Sequence, residues 1–163
     1  MKEIHLFWGK QSEFSNFYPC KIKSKYKTYC SMEQFLMYNK ARFFNDKDSA
    51  KKIMNESNPY RIKQLGRLVK NFDENVWRCQ RRTIAITGLY KKFTQNKKLK
   101  RVLLKSCKKI LAEASKFDKV WGIGLDEHHP DARTPTKWKG RNLLGKYLMH
   151  VRKILVKKER KCI

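Results

Sequence analysis

Acidic residues are scarce in this chain. Its 163 residues include 14 Asp and Glu against 40 Lys and Arg, which gives a formal charge of +26 at pH 7. An excess of this size favours contact with a polyanion, and it equally fits a lysine-rich composition that only decorates a solvated surface. The charge therefore bears on electrostatics and leaves fold and chemistry open.

Long hydrophobic runs, Pro/Gly-rich linkers and internal repeats are also missing. No apolar stretch approaches the roughly 20 residues of a membrane helix, and residues 1–4 lack the hydrophobic segment of a secretion signal. We therefore expect a soluble, cytoplasmic protein. A length of 163 residues with 40% hydrophobic and 12% aromatic residues predicts one domain over residues 1–163 with a buried core, and a basic C-terminal tail from about residue 156.

Cysteine and histidine do not occur in redox or metal-binding patterns. No two cysteines form a C-x-x-C pair, so free thiols are expected at Cys20, Cys30, Cys79, Cys107 and Cys162. His128 and His129 precede Pro130 and Asp131, but their spacing is not that of a metal-ligand set. We expect no metal and no cofactor, and no P-loop or Ser-His-Asp triad is present.

The remaining pattern predicts an α+β fold that is mostly helical, with a small N-terminal β element. Residues 3–8 have the pattern of a strand and residues 20–29 that of a hairpin. Helix N-caps are predicted at Ser31, Asn58, Asp73 and Asn142. The helices that follow are expected over residues 32 onward, 59–70, 74–93 and 142–156. A further helix is expected from residue 99 toward 114, with a break, and 122–139 is expected to be a loop.

Basic residues accumulate between residues 75 and 112, where no acid occurs. As a surface this stretch could contact phosphates, which need only positive charge, or it could be a solvated helix face. Its cations are Arg78, Arg81, Arg82, Lys91, Lys92, Lys97, Lys98, Lys100, Arg101, Lys105, Lys108 and Lys109.

Glu33 and Lys40 are the main candidates for chemistry. Glu33 falls in the first turn of a predicted helix, where the helix dipole favours a carboxylate, so a capping role competes with general acid/base catalysis. With Met37, the two residues fall at i, i+4 and i+7 on one helical face. They are separated by about 10 Å along the axis, which leaves room for a substrate. Aromatic neighbours could shift either pKa by lowering the local dielectric.

A second polar cluster is Asp118-x-x-Trp121-Gly122-x-Gly124. The glycines allow the backbone to approach a ligand, and Trp121 could stack on a base-like ring. A turn beside a core tryptophan explains the same residues. Earlier in the chain, Ser15, Asn16 and Phe17 form a polar-aromatic loop that is also typical of an ordinary turn. Arg67 could contact a phosphate or form a surface salt bridge.

Five segments, in this order and spacing from about Phe7 to Leu155, resemble the NADAR family, also called YbiA-like proteins. They are Phe14–Pro19, Met32–Ala41, Leu65–Arg67, Glu113–Gly124 and Trp138–Gly145. The resemblance implies a YbiA-like fold and an N-glycosidase that hydrolyses a bond between a ribose and a base-like nitrogen. The family's Glu followed seven residues later by Lys is matched by Glu33 and Lys40.

The resemblance also implies site residues. The catalytic set is Glu33 as general acid/base, Lys40 as either an imine-forming nucleophile or a positioning charge, and Asp118, which would orient the ribose or activate water. Phe17 and Trp121 would sandwich the ring. The full substrate-binding set is Ser15, Asn16, Phe17, Gln34, Arg67, Trp77, Trp121, Gly122, Gly124 and Asn142.

Two substrate classes follow from the resemblance. One is an ADP-ribosyl group on guanine in nucleic acid, bound partly through a basic surface, and the net charge favours it. The other is a ribosylamino-pyrimidine intermediate of riboflavin synthesis. A non-catalytic basic module that binds ADP-ribose or nucleic acid is the alternative from another class.

Overall fold

The structure is a computed structural model that describes residues 3–160. Its described elements, in chain order, are β1 (Ile4–Phe7), β2 (Pro19–Ser24), β3 (Lys27–Ser31), α1 (Met32–Phe43), α2 (Lys47–Met54), α3 (Pro59–Arg67), α4 (Glu74–Gln95), α5 (Lys97–Lys105), β4 (Ile110–Glu113), a short 3-10 helix (Pro135–Lys137) and α6 (Leu143–Arg160). The expected α+β class with a helical majority is confirmed. No helix within residues 3–160 is long and apolar enough to cross a membrane.

The chain divides into two compact units. One contains Asn16–Lys97, and the other combines the residues up to Ser15 with those from Lys98 onward. Whether the whole chain behaves as a single domain stays a prediction.

Helix α1 is the centre of the Asn16–Lys97 unit. Ser31 begins it as predicted, because its hydroxyl accepts the N–H of Gln34 at 3.1 Å. The helix packs against α2, α3, α4 and β3. Gly66 of α3 and Gly88 of α4 permit this packing, since a Cβ at either position would overlap Met37 or Met32. Most residues of α1 are consequently buried, including polar ones.

The predicted hairpin is confirmed as the antiparallel pair β2–β3, with Ile22 opposite Tyr29. The C-terminal end of α4 covers its outer edge. Gln95 both accepts the N–H of Lys23, at 2.7 Å, and donates to its carbonyl, at 2.9 Å. Asn96 donates to the carbonyl of Lys21 at 3.0 Å. The backbone of β2 is therefore paired on both sides, by β3 and by the end of α4.

In the other unit, β1 and β4 pair in parallel, with Ile4 beside Ile110 and Phe7 beside Glu113. Helix α6 packs against β4. Arg152 of α6 donates to the Ser106 hydroxyl at 2.7 Å and to the Lys109 carbonyl at 2.9 Å. Burial lowers the pKa of this guanidinium. The small core of the unit is formed by Ile4, Ala112, Ala114, Ile123, Leu125 and Ala132.

The predicted helix from residue 99 toward 114 is wrong in its second half. Helix α5 ends at Lys105, Cys107 adopts a positive φ of 47°, and residues 110–113 form β4. The partner of this strand is β1, about a hundred residues earlier in the chain. Local apolar spacing cannot reveal such a distant pairing, so tertiary structure overrode the helical pattern.

Other boundaries differ less. Helix α3 ends at Arg67 instead of residue 70, and α2, capped by Asp46, was not predicted. Helix α6 continues to Arg160, so residues 157–160 are helical, and the end of the expected basic tail lies outside the described residues. The cysteines at 20, 30, 79 and 107 are free thiols, whereas Cys162 lies outside the described part.

The basic stretch is not uniformly a surface. Arg81 is buried, and the side chain of Lys92 is fully buried, with Nζ 5.6 Å from the ring centroid of Tyr18. Arg78, Arg82, Lys97, Lys98, Arg101 and Lys105 are exposed. Arg81 and Lys92 therefore do not belong to the expected basic surface.

Gly145 provides a test of the packing of α6 on β4. A Cβ at this position would overlap the Leu111 carbonyl oxygen and lie 2.6 Å from both polar atoms of the Asn142 side chain. An unconstrained helical Gly→Ala change stabilises by about 0.5–1 kcal/mol. We expect Gly145→Ala to destabilise instead, by about 1–3 kcal/mol, in urea unfolding. The neighbouring exposed Lys146→Ala should stay within about 0.5 kcal/mol of the parent, and an equal loss in both variants would contradict the overlap.

Candidate active site

Glu33 is buried at the start of α1, with 5% of its surface exposed. Its backbone N–H, one of the groups that a helix leaves unpaired in its first turn, donates to the Asn16 carbonyl at 2.8 Å. This hydrogen bond joins the loop that contains Asn16 to the start of α1, at the proposed catalytic acid. A carboxylate in a first helical turn is also favoured by the helix dipole, so the position fits the capping role as well as the predicted chemical one.

Lys40 lies on the same helix two turns later and is 8% exposed. Its ammonium donates to the Gly66 carbonyl at 2.8 Å and lies 3.8 Å from the ring centroid of Phe72. Both contacts favour the charged form. Burial lowers the pKa of Lys40, and the carboxylates of Glu74 and Glu33 oppose that shift. Glu33 and Lys40 are therefore coupled electrostatically, in line with their predicted common face.

Gln34 has a structural task. Its Nε2 donates to the carbonyls of Ile53, Met54 and Glu56 at 2.9–3.3 Å, and its Oε1 accepts the N–H of Cys30 at 2.8 Å. These bonds hold the end of α2 and the end of β3 against α1. The geometry favours this role over substrate contact, and substrate contact by Gln34 stays a prediction.

Asn16 and Phe17 supply the polar and aromatic groups of the early loop. Asn16 is buried, and its Oδ1 has no hydrogen-bond partner among the described residues. A buried acceptor without a partner costs free energy, which makes this oxygen a candidate contact for a bound ligand. Phe17 is half-buried, with its ring 4.9 Å from that of Tyr60 and the Lys63 ammonium 5.9 Å from its centroid.

Arg67 and Trp77 have contrasting settings in the same unit. Arg67 is the exposed last residue of α3, next to the glycine whose carbonyl accepts from Lys40. Trp77 is buried in α4, with its ring 6.3–6.4 Å from those of Phe43 and Phe44. The environment of Trp77 is that of a core aromatic, and its predicted contact with substrate is untested.

Asp118 closes a turn in the other unit. Its Oδ1 accepts the N–H groups of Val120 and Trp121 at 3.0 and 2.8 Å, the pattern of an Asx turn. Trp121 is half-buried, with its ring 6.1 Å from that of Tyr147. Gly124 adopts a positive φ of 71°. Ser15, also in this unit, is buried and donates its N–H to the Ser12 carbonyl at 3.0 Å.

Asn142 does not cap α6 with its side chain, contrary to expectation. It adopts a positive φ of 50°, and its amide donates to the Leu111 carbonyl at 2.9 Å and accepts the Glu113 N–H at 3.2 Å. The first N–H groups of α6 are satisfied by backbone carbonyls of the preceding loop: Leu143 donates to Val120 and Leu144 to Trp121, each at 3.1 Å. Asn142 therefore fastens the helix start to β4.

The predicted residues fall into two groups. Asn16, Phe17, Glu33, Gln34, Lys40, Arg67 and Trp77 belong to the Asn16–Lys97 unit. Ser15, Asp118, Trp121, Gly122, Gly124 and Asn142 belong to the other unit. Sequence reasoning missed Phe72 and Glu74, which hold and tune Lys40, because no local signal connects them to α1. Within residues 3–160, no cluster of three or more His, Cys, Asp or Glu could hold a metal.

Comparisons with known proteins agree with this picture. A family model described as the NADAR domain matches residues 6–156. The chain is 40% identical over 144 residues to a protein of Acanthamoeba polyphaga mimivirus named as an N-glycosidase, with 85% of each chain covered. It is 30% identical to a riboflavin biosynthesis protein of Vibrio vulnificus, covering 86% of this chain and 35% of that protein. The fold resembles the NMR structure of the E. coli protein YbiA at 26% identity, with a TM-score of 0.79 over 98% of this chain and 89% of that one.

The Asx turn gives separate predictions for two substitutions of Asp118. Asp118→Asn keeps an oxygen that accepts the two N–H groups, so its free energy of unfolding should stay within about 0.5 kcal/mol of the parent. Asp118→Ala leaves both N–H groups without that acceptor and should cost about 1–3 kcal/mol. Urea unfolding of the two variants measures the difference. Equal free energies of unfolding in the two variants would contradict a stabilising role of these hydrogen bonds.

Proposed function

Because the chain belongs to the NADAR family and is a hydrolase of N-glycosyl bonds, we propose that it releases ADP-ribose from ADP-ribosylated guanine in nucleic acid. The observation that carries the proposal is the burial of a carboxylate, Glu33, and an amine, Lys40, on one helix. Both are charged groups that folding would ordinarily leave in water, and both lie where their charges interact. A buried, coupled pair of this kind is typical of a catalytic site.

In the proposed reaction, the bond between the anomeric carbon of the ribose and the guanine nitrogen breaks. The electron pair of that bond goes to the nitrogen, which takes a proton, and the sugar passes through an oxocarbenium-like state. A water molecule then adds its oxygen to the anomeric carbon and gives up a proton. Glu33 serves as the acid/base for these proton transfers, and the products are ADP-ribose and restored guanine.

Lys40 fits the role of a fixed positive charge better than that of an imine-forming nucleophile. An imine requires a neutral amine, whereas the Gly66 carbonyl and the Phe72 ring both stabilise the ammonium. A positive charge beside a phosphate-bearing ribose would anchor the substrate. In the other unit, one oxygen of Asp118 is committed to its turn, and the proposed role of this carboxylate is to orient the ribose. Loss of activity in the well-folded Asp118→Asn variant would support that role.

The net charge of +26 favours a nucleic-acid substrate, since a polymer of phosphates rewards an extended basic surface. The proposed place of action is the cytoplasm. The second candidate is a ribosylamino-pyrimidine intermediate of riboflavin synthesis, which the name of the Vibrio vulnificus relative favours. That small substrate would need only a few of the lysines.

The substitution Glu33→Gln tests the chemistry. We expect it to reduce turnover of a guanine-ADP-ribosylated oligonucleotide by about 10²–10⁴-fold, because the amide cannot exchange the proton, while thermal unfolding stays close to that of the parent. Free ADP-ribose is quantified by chromatography, with the riboflavin intermediate assayed in parallel. The exposed Glu127→Gln is the matched control. Turnover of the small intermediate alone would reject the nucleic-acid substrate, and inactivity of the folded parent on both would favour a binding module.

Glu74 provides a pH test of Lys40. Glu74 is the largest influence that raises the pKa of Lys40 against the lowering effect of burial. Glu74→Gln removes that influence, so the pKa of Lys40 falls further. If the ammonium is the active form, activity is lost as the pH rises through this pKa, and the alkaline limb of the kcat/KM profile should move to lower pH in Glu74→Gln.

The two proposed roles of Lys40 differ in whether activity falls or rises as the pH increases through the pKa of its amine. An imine mechanism needs the neutral amine, so activity would rise with pH through the same pKa, and borohydride would trap the covalent adduct. Glu74 is half-exposed, so the displacement should shrink at high ionic strength. Glu127→Gln should leave the profile unchanged. An unshifted profile in Glu74→Gln would exclude Lys40 as the titrating group.

A further inference from the structure

We propose that the β2–β3 hairpin binds an unpaired nucleic-acid strand, with Lys21, Lys23 and Lys25 on its phosphates and Tyr26 stacked on a base. This inference deepens the proposed function and rests on it for the location of the strand. It assigns the recognition of nucleotides that flank the modified guanine to a surface separate from the catalytic residues.

The hairpin has two chemically different faces. Ile22 is fully buried opposite Tyr29, whereas Lys21 and Lys23, which alternate with it along β2, are exposed. Successive side chains of a strand point to opposite sides, so Lys23 stands on the face opposite Ile22. Lys21 lies in the irregular stretch of β2 between Pro19 and Ile22 and is exposed as well. The chain has no acid between Glu13 and Glu33. The hairpin itself therefore supplies no carboxylate to neutralise its lysines.

The tip of the hairpin carries a largely exposed aromatic ring. Tyr26 is 82% exposed, and its neighbour Lys25 places its ammonium 5.0 Å from the ring centroid. An aromatic ring beside cations is the combination with which proteins bind single strands, because the ring stacks on a base while the cations contact phosphates. A duplex hides its base faces, so the tip fits an unpaired base.

The hairpin is also held in place, and its backbone is not available to a partner strand. Gln95 pairs with both backbone groups of Lys23, and Asn96 pairs with the carbonyl of Lys21. The outer edge of β2 is thus covered, which excludes a peptide that would extend the sheet along this edge. The outer face therefore presents lysine side chains on a backbone that is already held in place.

The hairpin leads directly into the catalytic helix. Strand β3 ends at Ser31, the N-cap of α1, and Glu33 follows two residues later. Ser31 lies six residues after Lys25 at the tip, and six residues of a strand span roughly 20 Å. A nucleotide stacked on Tyr26 is therefore a neighbour of the modified one along the strand, and not the modified nucleotide itself.

The exposed face of α5 is one competing surface. Lys98, Arg101 and Lys105 are exposed and spaced at i, i+3 and i+7, hence on one side of the helix. This helix contains no aromatic residue. It can attract phosphates but offers no ring for a base, which is why the hairpin is the better candidate for a single strand.

The first experiment compares these two surfaces by their salt dependence. Fluorescence anisotropy measures binding of an unmodified single-stranded oligonucleotide between 50 and 200 mM salt, conditions under which phosphate contacts dominate. The variant with Lys21, Lys23 and Lys25 changed to Gln should make the negative slope of log K against log salt shallower by about 2, since each phosphate contact contributes about −0.7 for single strands. The variant with Lys98, Arg101 and Lys105 changed to Gln is the matched control and should keep the parent slope.

Two further variants test the face and the ring. Lys27→Gln removes a lysine from the opposite face, where its ammonium lies 5.3 Å from the Tyr38 ring, and should leave the slope unchanged. Tyr26→Ala should weaken binding of a base-carrying strand at least about fivefold, with no change for an abasic strand of equal length. A larger loss in the α5 variant than in the hairpin variant, or equal effects of Tyr26→Ala on both strands, would overturn the proposal.

Activity assays separate this proposal from the proposed function. The hairpin variant should raise KM for a long ADP-ribosylated oligonucleotide and leave turnover of an ADP-ribosylated guanosine unchanged, because the small substrate has no flanking nucleotides. If the parent protein binds strands through the hairpin but releases no ADP-ribose, the proposed substrate is wrong and the proposed binding surface is supported. Equal loss on both substrates would show that the lysines act through folding and would reject the surface.

Discussion

The amide of Gln34 is the interaction on which the Asn16–Lys97 unit depends. It joins Cys30 at the end of the hairpin to three carbonyls at the end of α2, from the first turn of a helix that is largely buried. Four backbone groups, one of them in a fully buried bond and the others part-buried, would each lose a partner without it. A buried group left unsatisfied costs about 1–3 kcal/mol. Because Glu33 precedes Gln34 directly, the same bonds that fix the helix start also fix the position of the proposed acid. The residue that stabilises the unit and the proposed acid are thus adjacent in one helical turn.

The buried charges of α1 are unfavourable for folding in themselves. A buried carboxylate and a buried ammonium both lose hydration, and hydrophobic replacements of similar volume often stabilise such sites. Lys40 is compensated by a carbonyl, by the face of Phe72 and by distant carboxylates. These partners hold the charge without neutralising it through a close ion pair. An ammonium held in this way is still able to attract a phosphate or a developing negative charge, which a tight salt bridge would prevent.

Local signals allowed much of this fold to be predicted. The caps at Ser31, Asn58 and Asp73 were confirmed because the hydrogen bonds involved span only two or three residues. The hairpin was confirmed because its two strands follow one another directly in the chain and are joined by a short turn. Strand β4 was missed because its partner lies near the start of the chain, and the environment of Lys40 was missed because Phe72 and Glu74 are more than thirty residues away. The placement of Glu33 and Lys40 on one face was accessible from spacing, whereas what surrounds them was not.

The glycine-rich and asparagine segments illustrate how a motif that suggests ligand binding can first serve the backbone. Carbonyls of residues 119–122 accept the N–H groups of residues 141–144, and a Cβ at Gly140 would collide with the Gly122 carbonyl oxygen. Asn142 completes the arrangement by pairing with β4 on both sides of its amide. Such residues are required for the fold whatever the substrate is, so they cannot distinguish one N-riboside from another. We expect discrimination between substrates to come from polar or aromatic groups that make few contacts within the protein. Examples are Asn16 Oδ1, which has no hydrogen-bond partner among residues 3–160, and the exposed ring of Tyr26.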